Sequence, residues 1–111
     1  MTINQYRTAV AEAANYTDRD AYISDLALST IWGDPESAEI PATRVEQLGQ
    51  IWDAYHRSVK EIAAAADLSC RKLAERFSIP YRTVEDWSAG KRECPIYTRL
   101  MMQECLGLLE V

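Results

Sequence analysis

No run of about 18 apolar residues occurs in the 111-residue chain, so a membrane-spanning helix is not expected. The first twenty residues hold no apolar core flanked by cations, so secretion is not expected either, and the reading is of a cytoplasmic protein. Glycine and proline, four of each, are too few for a disordered or fibrous chain. Histidine occurs once, at His56, far in sequence from the three cysteines Cys70, Cys94 and Cys105. Those cysteines form an odd set without the paired short spacings of a zinc site, so free thiols, no metal and no cofactor are expected. Catalysis is not expected: Asp53 and His56 stand three apart on a predicted helix, but no motif places a serine or cysteine nucleophile beside them. Strand patterns are also missing, because no short run alternates apolar and polar residues between turn signals.

What is present is helical periodicity in an ordinary globular composition, 48% hydrophobic and 26% charged. Ile3, Tyr6, Val10, Ala13 and Ala14 recur three or four apart and predict one buried stripe over residues 3–14. Thr17 is a candidate cap for a second helix, with Asp18 and Asp20 at the positive end of its dipole and Tyr22, Ile23, Leu26, Ala27, Thr30 and Ile31 facing inward. Gly33 and Pro35 stop it, and residues 34–41 read as a short acidic loop. A third helix follows Pro41, with Val45, Leu48, Ile51, Trp52 and Tyr55 on its apolar face. Ser58 and Glu61 have capping-box spacing, which starts a short fourth helix over Val59–Ala66.

The net charge of −5 is unevenly spread. Residues 1–57 carry four cations against nine acids, and residues 58–111 carry eight of each. Within Ser69–Arg92 six cations (Arg71, Lys72, Arg76, Arg82, Lys91 and Arg92) face three acids (Glu75, Glu85 and Asp86). A positive island of this kind suits phosphate contacts, although the whole chain is acidic.

The punctuation of the island is tight. Ser69 can cap a helix with Leu73, Ala74 and Phe77 inward, and Pro80 ends it near Ser78 by disfavouring helical geometry at Ile79. Pro80 then suits the start of a second helix, with Val84 and Trp87 as an inward pair and Tyr81, Arg82, Glu85 and Asp86 on the outer face. Two short helices joined by a turn of three or four residues form a helix-turn-helix arrangement.

The stretch SCRKLAERFSIPYRTVEDWSAGKRECP, residues 69–95, resembles the Cro/C1-type (XRE-like) helix-turn-helix family. The likeness rests on the Leu73–Ala74 pair, Val84 and Trp87, then Gly90-Lys91-Arg92 and Pro95, and it covers Val59 to Leu109. Ser78 stands where the family usually has glycine, and Pro80 where it usually has a capping Ser or Thr. Residues 1–57 are similar to the leader of small helix-turn-helix proteins of gut Firmicutes. The resemblance implies an all-α fold of five to seven helices, in which a lambda repressor-like module (58–111) carries an N-terminal helical extension (1–57).

It also implies that Tyr81, Arg82, Thr83 and Asp86 read bases, and that Ser69, Cys70, Arg71, Lys72, Lys91 and Arg92 contact phosphates. Of these, Arg82 at the start of its helix is best suited to pair with guanine O6 and N7. The expected partner is double-stranded DNA and the expected function sequence-specific transcriptional regulation, with the 80–89 helix in the major groove. Trp32, Trp52 and Trp87 lie on apolar stripes and are assigned to packing.

A last helix, Ile96–Leu109, carries more apolar residues than one face needs: Leu100, Met101, Cys105, Leu106, Leu108 and Leu109. Some are expected to cover the helix pair, and the others to form a homodimer patch. The rival reading is a protein-binding module, an antitoxin or phage-type inhibitor, whose acidic residues 1–57 grip a partner.

Overall fold

The computed structural model describes residues 1–34 and 39–111 of the chain. The part of the expected acidic loop at residues 35–38, with the stop assigned to Pro35, lies outside the described residues. Among the described residues there are seven α-helices, one 3-10 turn and no strand, so the fold is all-α. No described helix is long and apolar enough to cross a membrane. The chain divides into two units, residues 1–55 with 110–111, and His56–Leu109.

In the first unit, α1 (Ile3–Ala13) opens with a reciprocal cap: the Gln5 N–H donates to Thr2 Oγ1 and the Thr2 N–H donates to Gln5 Oε1. Its buried residues are Ala9 and the expected Ala13, with Tyr6 and Val10 half-buried, whereas Ile3 is 79% exposed and Ala14 is exposed, so the expected stripe is displaced towards Ala9. The fully buried Tyr22 accounts for the displacement, because its hydroxyl donates to the Ala9 carbonyl at 2.7 Å and this approach needs small side chains on α1. Burial pushes the Tyr22 phenol far above its ordinary pKa, so it stays a donor.

Helix α2 (Arg19–Ala27) is capped by Asp18, whose carboxylate accepts from the Asp20 N–H, one residue beyond the expected Thr17. A short carboxylate there both accepts a free N–H and complements the dipole. The helix does not continue to Ile31. The Leu26 carbonyl accepts from the Ser29 N–H, the Ser29 hydroxyl and the Trp32 indole N–H, and a 3-10 turn (Thr30–Trp32) closes on left-handed Gly33.

Helix α3 (Ala42–His56) buries Arg44, Leu48, Gly49, Ile51 and Ala54, while Val45 is 40% exposed rather than inward. Gly49 leaves room for a close approach. A Cβ there would overlap the Arg19 guanidinium, which passes over it to pair with Asp53 at 2.9 and 3.2 Å. Asp53, paired with His56 by its spacing in the sequence, is therefore held in an ion pair with Arg19.

In the second unit the local signals and the structure agree closely. Ser58 and Glu61 form the expected capping box at the start of α4 (Val59–Ala65), and hydrogen bonding from the Ser58 backbone N–H, then from its side chain, holds the Glu61 carboxyl below its ordinary pKa. Ser69 caps α5 (Cys70–Phe77) by accepting from the Lys72 N–H at 3.1 Å. Ser78 takes the left-handed conformation, φ 53°, and the Ile79 N–H donates back to the Ala74 carbonyl at 2.9 Å. Pro80 precedes α6 (Tyr81–Ser88) as its cap residue and donates nothing.

Helix α7 (Ile96–Cys105) is shorter than expected, ending where Gly107 turns left-handed and the Leu108 N–H reaches the Gln103 carbonyl. Val59, Ile62, Ala63, Leu73, Ala74, Val84, Cys94 and Met102 form the core of this unit, with Phe77, Trp87, Leu106 and Leu108 against it. Each fully buried aliphatic side chain contributes about 1.5–3 kcal/mol. Of the apolar residues expected beyond this need, Leu100 and Leu109 are buried, while Met101 and Cys105, like Tyr97, are exposed.

Candidate nucleic-acid interface

The pair α5–α6 fixes the geometry of the positive island. Ala74 is 3% exposed in the core beneath the pair, and the three residues 78–80 return the chain at once. Val84, with no exposure, and the half-buried Trp87 anchor one side of α6, which sends Arg82 and Glu85 outward on the other.

Five of the expected contact residues line or edge a single concavity. It is bounded by Cys70, Tyr81, Arg82, Asp86 and Lys91, with Lys60, Glu85, Ser88 and Ala89 completing its wall. The Arg71 guanidinium lies 4.1 Å from the centre of the Tyr81 ring, a cation–π stack that joins the start of α5 to the start of α6. Thr83 is half-buried, and Ser69 and Lys72 are exposed at the first turn of α5. Lys72 Nζ stands 3.5 Å from Glu75.

Two residues differ from their expected places. Cys70 Sγ sits 3.2 Å from Ser88 Oγ, a side-chain bridge between the two helices rather than a group pointing out from them. Asp86, expected on the outer face, has a side chain only 15% exposed. Its carboxylate lies 3.6 Å from Arg82 Nε and 3.9 Å from Arg92 Nε, and its carbonyl accepts from the Lys91 and Arg92 N–H groups at 2.9 and 3.3 Å. Sequence spacing shows Arg82 and Asp86 as an i, i+4 pair, but the return of residues 90–92 onto Asp86 is a tertiary event.

Two buried polar groups, Gln103 and Arg44, and the half-buried Arg99 were not expected from the sequence. Gln103 is fully buried, accepts from Arg57 Nη1 at 3.1 Å and donates to the Arg99 carbonyl at 3.2 Å. Arg99 in turn donates to the Arg57 carbonyl at 2.7 Å, which ties α7 to the residue before the α4 cap. In the first unit Arg44 donates to Asp34 and to the Ala27 carbonyl and lies over the Trp32 ring. The signal for these groups would have been a lone glutamine or arginine on an apolar helix face. Burial pushes the Cys94 thiol up to about 11, as suits a core residue. Among the described residues no cluster of three metal-ligating side chains occurs.

Comparison with protein-family models, with curated proteins and with solved structures finds no match to this chain.

Proposed function

We propose that the His56–Leu109 unit binds double-stranded DNA as a helix-turn-helix module of the Cro/C1 type, with α6 in the major groove, and that the chain is a sequence-specific transcriptional regulator. The observation that carries this reading is the gathering of cations from separate segments onto one rim. Arg82 from α6 and Arg92 from the following loop converge on Asp86, Lys91 and Lys60 line the same concavity as Arg82, and Arg71 stacks on Tyr81 at its edge. An acidic chain that collects its positive side chains in one place has a local field suited to a polyanion.

Roles follow from position. Arg82 is 81% exposed at the first turn of α6, where a guanidinium reaches the base edges once the helix end enters the groove. Lys91 and Arg92, just past the helix, hold phosphates, which fixes register without carrying sequence information. The Ser69 hydroxyl oxygen accepts from the Lys72 N–H in capping α5, which leaves its own O–H to donate to a phosphate at that helix start.

The test is the salt dependence of binding to duplex DNA. Affinity should fall linearly on a log–log plot, and Lys91→Ala should weaken every duplex alike while reducing the slope by about 1. Binding that ignores salt, or a Lys91→Ala variant with the wild-type slope, would count against the interface.

A further inference from the structure

Asp86 is bound by the loop that follows α6 through both its backbone and its side chain. Its carbonyl accepts from the Lys91 and Arg92 N–H groups, and its carboxylate stands between Arg82, four residues earlier, and Arg92, six later. The carboxylate is largely buried, at 15% exposure, whereas Arg82 and Arg92 are 81% and 71% exposed. In both arginines the nearest nitrogen to it is Nε, at 3.6 and 3.9 Å. The Nη1/Nη2 edge of each guanidinium is thereby left for an incoming pair of acceptors.

We infer that Asp86 is a positioning residue of the proposed DNA interface: it aims Arg82 at base edges and Arg92 at phosphate, and does not itself read a base. The inference rests on the DNA-binding reading above. Its physical basis is pre-organisation. A free arginine stem loses much rotamer freedom when it docks, and a carboxylate that orients the stem before DNA arrives removes part of that loss. A buried acid beneath two exposed cations also leaves a net positive rim, so its charge weakens non-specific attraction without cancelling it. Positioning and charge predict different outcomes, because a charge effect acts on all sequences equally whereas a misaimed Arg82 costs only discrimination.

The experiment uses the full chain, a duplex enriched by the wild-type protein from random sequences, and a scrambled duplex of the same length. Asp86→Asn removes the charge at constant shape. The scrambled duplex should bind more tightly with a steeper salt slope, while the ratio of enriched to scrambled affinity falls by about tenfold. Adding Asp86→Asn to Arg82→Ala should lower that ratio no further. If Asp86→Asn unfolds at a much lower temperature than wild type, Asp86→Glu is read instead. That variant keeps the charge on a longer stem, and its ratio should fall with the salt slope unchanged. A wild-type ratio in whichever variant remains folded overturns the inference and leaves DNA binding standing. A wild-type chain that enriches no sequence overturns both, and needs no Asp86 variant to show it.

Discussion

The Arg44 guanidinium lies 4.3 Å from the centre of the Trp32 ring, beneath the end of α2. The same group donates to the Ala27 carbonyl and to Asp34, and its side chain is 10% exposed. Arg44→Ala removes a stack and charged hydrogen bonds together, with an expected loss of about 2–3 kcal/mol. Arg44→Lys should recover little, since an ammonium has no planar fork. The midpoint of urea unfolding followed by tryptophan fluorescence checks both.

Asp34 gives that cluster a pH signature. Its hydrogen bond from Arg44 holds the carboxyl below its ordinary value of 3.8. A depressed folded-state pKa means that the stabilisation is present above the unfolded value and is lost as pH falls through the folded one. Wild-type stability should therefore drop as pH is lowered below about 4, and Asp34→Asn should flatten that part of the curve. Glu61, held low by Ser58, acts in the same window, so the variant removes part of the slope and not all of it.

Gly49 and Arg19 should be coupled. Alanine in a helix interior is favoured over glycine by about 1 kcal/mol, but here its Cβ displaces Arg19 from Asp53. With Arg19 45% and Asp53 33% exposed, that pair contributes at most about 1 kcal/mol. Gly49→Ala should be near neutral in the wild-type chain and stabilising by about 1 kcal/mol in an Arg19→Ala background. Equal effects in both backgrounds would contradict the close approach.

Ser78→Gly should stabilise the protein by about 0.5–1 kcal/mol, because Ser78 pays for a left-handed φ of 53° that glycine adopts freely. Ala64→Gly, on the exposed side of α4, should cost about 1 kcal/mol. Opposite signs for the two glycine substitutions, read from thermal midpoints, are the expected result.

The parts of this fold that were legible in the sequence are those decided within a few residues. The Ser58–Glu61 box, the Ser69 cap and the break at 78–80 depend on hydroxyls, a carboxylate and a proline acting on neighbouring peptides, so their spacing sufficed. The misplaced features depend on distant partners. Tyr22 chooses which face of α1 is buried by reaching the Ala9 carbonyl, and Ser29 and Trp32 together capture the carbonyl that would have prolonged α2. Apolar periodicity carried α7 past the Gly107 turn, which was a stop signal of ordinary kind. In the candidate interface the helix pair and its cations were readable, but the withdrawal of Asp86 from the outer face was not, because Arg92 reaches it only after the loop folds back.

In the proposed DNA-bound state Arg82 reads a base from the start of α6. Binding-site selection on random duplexes, run in parallel with wild type and Arg82→Ala, tests it most directly. Wild type should enrich one motif, and the variant should still bind DNA but relax a guanine position, losing about 1–3 kcal/mol of discrimination there. Enrichment of the same motif to the same degree by Arg82→Ala would contradict it.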